Sequence, residues 1–243
     1  MPTARSPRRA TPARSKVRTR AAPGHLLITA GPTHEPIDAV RFIGNRSSGQ
    51  LGIALADAAA KAGWHVTLLL GPTNLTPSDP KIRVLRFRTT TDLQALLTAN
   101  FHRCDALVMA AAVADYRPAT SEAAADADGK LRRVAEGLTL RLEPTPDLLA
   151  QIGRLRQPGQ VLVGFALEPR SRMMASAQDK LTRKGLDLIV ANPLETMDAP
   201  TIEATVIGRA GVVLQTPKPV AKARFATQLA KLVAAHVAES KRR

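Results

Sequence analysis

The chain has 243 residues, 44% of them apolar, enough for one large α/β domain with a substantial core. No apolar run approaches the roughly 20 residues that a membrane-spanning helix needs, and one cysteine, Cys104, excludes an internal disulfide framework or a cysteine-rich metal site. The formal charge of +15 would suit nucleic acid, but six Arg and one Lys crowd into the first 20 residues, and one Trp and one Tyr leave few aromatics to stack bases.

Residues 1–24 are rich in Pro, Ser, Thr and Arg and lack the apolar core of a secretory signal. They read as a disordered, solvated tail, in preference to an organellar transit peptide. From residue 25 onward strands and helices alternate. "HLLITAG" (25–31) is a short apolar run ending in glycine, hence a buried strand. "SGQLGIALADAAAKAG" has apolar residues at helical spacing and stops at Gly63. Strands follow at "HVTLLLG" (65–71) and "IRVLRF", then a capped helix in "TTTDLQALLTANF". Cys104 reads as a small buried hydrophobe leading into "DALVMAAAVADY" (105–116), a buried strand that runs on into a loop of small residues. "RPATSEAAADADGKLRR" has no apolar period and reads as a mobile loop. Beyond it come a strand in "LTLRLEP", a capped helix in "TPDLLAQIGRLR" and a buried strand in "QVLVGFALE". A charged helix around "ASAQDKLTRKG" and a strand in "LDLIVAN" (186–192) continue the alternation. "TVIGRAGVVLQ" reads as a hairpin turning at Arg209–Gly211, and an amphipathic helix closes the chain. Such alternation implies a mainly parallel sheet covered by helices.

Ligands of doubly wound sheets gather at the carboxyl ends of strands. Asn45, Ser47, Ser48 and Gly49 precede a helix N-terminus, where free amides and the positive dipole end attract phosphate. Taken alone, Ser–Ser–Gly before a helix is an ordinary cap. The spacing Gly49-x-x-Gly52 is not a dinucleotide fingerprint, no acid ends the second strand to hold a ribose, and Gln50 stands where a Walker lysine would be. The remaining groups have plain structural readings. Lys130 sits in a solvated charge run, Lys180 and Lys184 on a solvated helix face, and Phe165 in the core, while Asp115 caps a turn or meets a ligand. The five histidines offer no metal-ligand spacing.

In this order, "ITAGPTHEPIDAVRFIGNRSSGQLG", "AAAVADYRP", "GKLRR", "TPDLLA", "VGFALE" and "KLTRKGLDLIVAN" resemble phosphopantothenoylcysteine synthetase, the second half of the bacterial coenzyme A flavoprotein. The resemblance covers about residues 25–240. It implies a Rossmann-like α/β fold, a mainly parallel sheet flanked by helices with an added β-hairpin. It also implies a cytoplasmic, homodimeric ligase that joins 4′-phosphopantothenate to L-cysteine, with CTP as co-substrate and Mg²⁺. Position by position, the resemblance makes Lys130 the catalytic lysine of cytidylyl transfer and Asn45 the group that converts the acyl-cytidylate. It places Met109, Ala110, Ala111, Asp115 and Phe165 around the cytidine. Pro146, Asp147, Leu148 and Leu149 would lie at the nucleotide phosphates with Lys180 and Lys184, and Arg41, Ser47, Ser48 and Gly49 would contact phosphopantothenate. No flavin is expected in this chain, so a separate flavin-dependent decarboxylase would take the next step. Two rival readings are an NAD(P)-linked reductase on the same architecture and a nucleic-acid binder led by the arginine tail.

Overall fold

In the computed structural model, residues 24–119, 129–133, 135 and 137–242 are described. The basic tail and residues 120–128 of the alanine- and acid-rich loop lie outside the described residues.

Eight strands form one sheet: β1 (His25–Ala30), β2 (His65–Leu70), β3 (Arg83–Arg86), β4 (Ala106–Met109), β5 (Val161–Glu168), β6 (Leu188–Pro193), β7 (Thr205–Gly208) and β8 (Gly211–Gln215). Their order is β8-β7-β6-β5-β4-β1-β2-β3. The six strands from β6 to β3 run parallel, and β7 and β8 extend that edge as an antiparallel hairpin. β1, β2, β4, β5 and β6 are buried over most of their length, which is why they read as continuous apolar runs. The chain order reverses between β1 and β4. That is the switch point at which loops splay apart and leave a crevice.

Helices cover both faces. α1 (Gln50–Lys61) and α5 (Lys222–Ser240) bury Ile53, Leu55, Phe225, Leu229 and Val233 against one face with Leu26, Ile28 and Val108. α2 (Thr90–Asn100), α3 (Leu148–Arg154) and α4 (Met173–Arg183) bury Leu93, Leu97, Ile152 and Leu181 against the other. Thr89 and Asp92 make a reciprocal capping box on α2, and the Asp147 carboxylate caps α3 through the Ala150 amide. Gly63 ends the turn after α1 at φ 93°, as its place after the alanine run predicts.

Three details differ from the sequence reading. Within "LTLRLEP" only Leu142–Pro144 is strand, and it pairs with Tyr116–Pro118 in a separate antiparallel ribbon. Leu138 and Leu142 are exposed, so the alternation is that of a surface ribbon tied by Arg117 to Glu143 at 2.7 Å. The strand before Asp115 ends at Met109, leaving Asp115 six residues out on a loop. The long loop after β1 contains a further ribbon, His34–Pro36 against Phe42–Gly44, with His34 stacked on Phe42.

Candidate active site

A cleft of about 430 Å³ opens at the carboxyl ends of β1, β4, β5 and β6, within the range of small-molecule sites. Its first wall is the Arg46–Gly52 segment leading into α1. Gly49 precedes α1 at φ 73°, and a Cβ there would stand 3.2 Å from the Gly31 amide nitrogen. Glycine is therefore required both by conformation and by the close approach of the two loops. The N-cap Gly49 has no side chain to offer, the Gln50 amide reaches the Ser48 hydroxyl only at 3.4 Å, and no acid occupies the first turn of α1, so its dipole meets no carboxylate at the cleft. Asn45 adjoins this wall, donating from Nδ2 to the Val113 carbonyl at 3.0 Å.

The second wall is the small-residue segment after β4. Ala111 and Ala114 donate their amides to the buried hydroxyls of Thr29 and Thr33, both at 3.0 Å, and Ala112 donates to the Gly31 carbonyl at 3.0 Å. Small residues let this strip zip onto the loop after β1 while Met109, Ala110 and Ala111 face the ligand space. Asp115 lines the cleft and is exposed, with its carbonyl accepting from Thr145.

Charge enters from α3 and α4. Pro146, Asp147, Leu148 and Leu149 line the cleft, as do Lys180 and Lys184. Lys184 Nζ lies 2.9 Å from Asp147, and Lys180 Nζ 2.8 Å from Glu168. Partial burial works against ionisation of Asp147. The Lys184 ammonium, the Ala150 amide and Arg183 outweigh it and hold the carboxyl below its ordinary range. Glu168 is likewise lowered, by hydrogen bonds from Lys180 and Ser176. The two lysines face the cleft, so the solvated-face reading fails for them. Half-buried Phe165 on β5 also lines it, while still packing on the core.

Most of the expected residues thus converge. Arg41, Asn45 and Lys130 do not line the cleft, although Asn45 directly precedes its first wall. Arg41 is occupied instead, its guanidinium donating to the Leu131 carbonyl at 2.6 Å and pairing with Asp38 at 3.2 Å. The buried Asp38 carboxylate also accepts from the Leu131 amide at 3.1 Å, so the Gly129–Leu131 segment is fastened to the loop after β1. Lys130 is exposed on that fastened segment. Lining residues that were not foreseen include Arg46, Thr145, Thr196, Met197, Asp198, Ile202 and Lys222. Asn192 ends the "VAN" strand, where a ligand contact was expected, and donates to Thr196 at 2.8 Å. Lys222 opens an amphipathic helix and carries no local signal of function.

Fold and cleft define a doubly wound α/β protein with a small-molecule-sized cleft at its switch point. The chain belongs to the DNA/pantothenate metabolism flavoprotein C-terminal domain family, whose model matches residues 22–237. It is 46% identical over 170 residues to a prokaryotic cysteine/cysteine sulfinic acid decarboxylase, covering 70% of this chain and 46% of that protein. It is 39% identical over 171 residues to the coenzyme A biosynthesis bifunctional protein CoaBC of Escherichia coli K12, covering 69% and 40%. The chain therefore spans less than half the length of these curated relatives. Among solved structures, the C-terminal domain of a CoaBC protein superposes with TM-score 0.73 at 30% identity, covering 89% of this chain and 96% of that one. A Cab2 mutant in complex with phosphopantothenate-cysteine shares the fold, with TM-score 0.74 at 21% identity and coverage of 90% and 89%. Among the described residues no helix is long and apolar enough to cross a membrane.

Proposed function

We propose that the chain is a phosphopantothenate–cysteine ligase of coenzyme A biosynthesis, using CTP and releasing CMP and pyrophosphate. The observation that carries the reading is the junction, in one cleft, of a glycine-led helix N-terminus free of acids with the Lys180 and Lys184 ammoniums across a strip of small residues. Such a cleft suits an anionic substrate meeting a nucleoside triphosphate. Family membership and the CoaBC relatives support the same reading. Mg²⁺ is assigned to the nucleotide as part of the substrate, since it is commonly held by substrate phosphates.

In the first half-reaction a carboxylate oxygen of phosphopantothenate attacks the α-phosphorus of CTP and pyrophosphate leaves. Both partners are anionic, so cations must offset the charge that gathers between them. Lys180 and Lys184 are assigned to the phosphates, Met109–Ala111, Asp115 and Phe165 to the nucleoside. Ser47, Ser48 and Gly49 are assigned to the acyl substrate. Lys130 is assigned to cytidylyl transfer, which requires its segment to swing from the Asp38–Arg41 fastening toward the cleft. In the second half-reaction the cysteine amine attacks the acyl carbon, CMP leaves with the bonding pair, and the amine loses a proton. Asn45, tied to Val113, is assigned to orient the acyl carbonyl.

The test is product formation from phosphopantothenate and cysteine, with CTP and ATP compared. Amide product with CTP is expected; no product with either nucleotide refutes the ligase. Lys130→Gln should abolish pyrophosphate release, and Asn45→Asp should release pyrophosphate yet form amide slowly. A homodimer, a cytoplasmic location and a separate flavin-dependent decarboxylase complete the proposal.

A further inference from the structure

Lys222 is a cation of the cleft that the ligase reading leaves without a task. It is the first residue of α5, is 8% exposed, and lines the cleft. Its ammonium has no hydrogen-bond or ion-pair partner among the described residues. Lysine is almost never this buried without a partner. Its position makes matters worse, because the N-terminal end of a helix already carries positive dipole charge. No side chain caps α5 and no acid sits in its first turn. Burial pushes the Lys222 pKa down, and Asp198 offsets this only in part.

A second observation points to the same place. Asp198 has φ 58°, the one positive φ at a non-glycine among the described residues. Such a conformation costs about 1–3 kcal/mol and concentrates at ligand sites. From it, Asp198 makes a 2.5 Å ion pair with Arg46, reaching from the turn after β6 to the loop ahead of α1. Arg46 and Asp198 both line the cleft beside Lys222. Arg46 and Lys222 lead into α1 and α5, on the sheet face opposite α4 with its Lys180 and Lys184.

We propose that Lys222 and Arg46 form a phosphate subsite of the cleft, and that Asp198 is its internal counter-anion, released from Arg46 when a phosphate arrives. The subsite deepens the ligase reading, on which it rests only for the source of the phosphate: the nucleotide triphosphate or the phosphomonoester of the acyl substrate. Two cation pairs on opposite sheet faces would then hold the phosphates of one reaction from both sides.

Calorimetric titration with inorganic tripolyphosphate, which carries no base and no pantoate, tests the subsite. Lys222→Met keeps the buried stem and removes the charge; it should weaken binding at least tenfold, and Lys222→Arg should restore it to within about threefold. Asp198→Asn keeps a residue that tolerates the left-handed conformation and should tighten binding at least threefold, an effect no purely structural role would produce. Absence of wild-type binding, unchanged affinity in Lys222→Met, or weaker binding in Asp198→Asn overturns the proposal. If Lys222→Met does not fold, the sign of the Asp198→Asn effect decides. Repeating the titration with CTP and with phosphopantothenate separately identifies the source, as the ligand whose affinity falls in Lys222→Met. Wild-type amide formation is scored independently. Tripolyphosphate binding without amide product would refute the ligase and leave the subsite standing, and the converse result would do the reverse.

Discussion

Gly52 is where the geometry of the cleft depends on a single hydrogen atom. A Cβ at this position would stand 2.5 Å from the Ala30 Cβ and 3.2 Å from both the Ala30 Cα and the Thr29 carbonyl oxygen. Two effects oppose each other in Gly52→Ala. Helix propensity favours alanine by about 0.8–1 kcal/mol, whereas overpacking a rigid contact costs about 1–3 kcal/mol. Here the obstructing atoms are backbone or the Cβ of β1, with no flexible side chain to yield, so the cost belongs in the upper part of that range. The net destabilisation is then about 1–2 kcal/mol, a fall in Tm of about 2–8 °C for a domain of this size. Relief requires α1 to retreat from β1 by about an ångström, and a shift of that size at positioning groups can cost about a hundredfold in rate. Thermal melting and steady-state amide formation measure the two consequences. A Tm equal to or above wild type, with unchanged kcat, would refute the claim that close helix–strand contact fixes the phosphate-facing amides.

Lys184→Met should raise the KM for the nucleoside triphosphate about 10- to 100-fold, the worth of one charge-assisted contact, while leaving the α3 cap from Asp147 intact. Asp38→Asn should sever the fastening of Gly129–Leu131, seen as faster hydrogen exchange at the Leu131 amide. If exchange there stays at the wild-type rate, Asp38 is not the fastener. The carboxyls of Asp147 and Glu168 both titrate below their ordinary range. Their pairs with Lys184 and Lys180 therefore contribute fully above about pH 4.5 and are lost as pH falls through the depressed values. Carboxyl NMR titration should find both midpoints below the ordinary values of about 4. Burial pushes the Cys104 thiol up to about 12, so it should not react with a thiol reagent at pH 8 until the protein is unfolded.

Much of the fold was legible because period and punctuation agree in this chain. β1, β2, β5 and β6 are continuous apolar runs; Gly63 marks a helix end by its left-handed backbone, and Thr89 and Asp147 mark helix starts by their side-chain caps. The ribbons were less legible. Three-residue strands such as His34–Pro36 bury too little to impose a period, and their pairing is a tertiary fact. Residues at the strand ends of the cleft were readable since the switch point brings them together by topology. Lys180 and Lys184 at i, i+4 looked solvated because nothing local says that Glu168 at the end of β5 meets the one and Asp147 ahead of α3 the other. Lys222 was invisible for the same reason: an amphipathic helix begins with it, and only the fold reveals that this turn is buried.

The charges of the cleft are arranged as exchangeable pairs. Lys180 holds Glu168, Lys184 holds Asp147 and Arg46 holds Asp198, each within 2.9 Å. Free ammonium and guanidinium groups crowded into one concavity would repel one another and lower each other's protonation. Each acid removes that repulsion while the cleft waits for a ligand. A phosphate must then compete with a carboxylate at each of these three cations, which lowers its affinity there. Asp147 does not leave with the exchange, because its second task as the α3 cap keeps it at the cleft, and Glu168 is similarly held by Ser176. Asp198 has no such second bond among the described residues and occupies a strained conformation, so it is the partner that yields most readily. Ligand entry is therefore expected to be easiest beside Arg46, at the loop that carries Asn45, and the pairs on α4 should tighten on phosphates already delivered there.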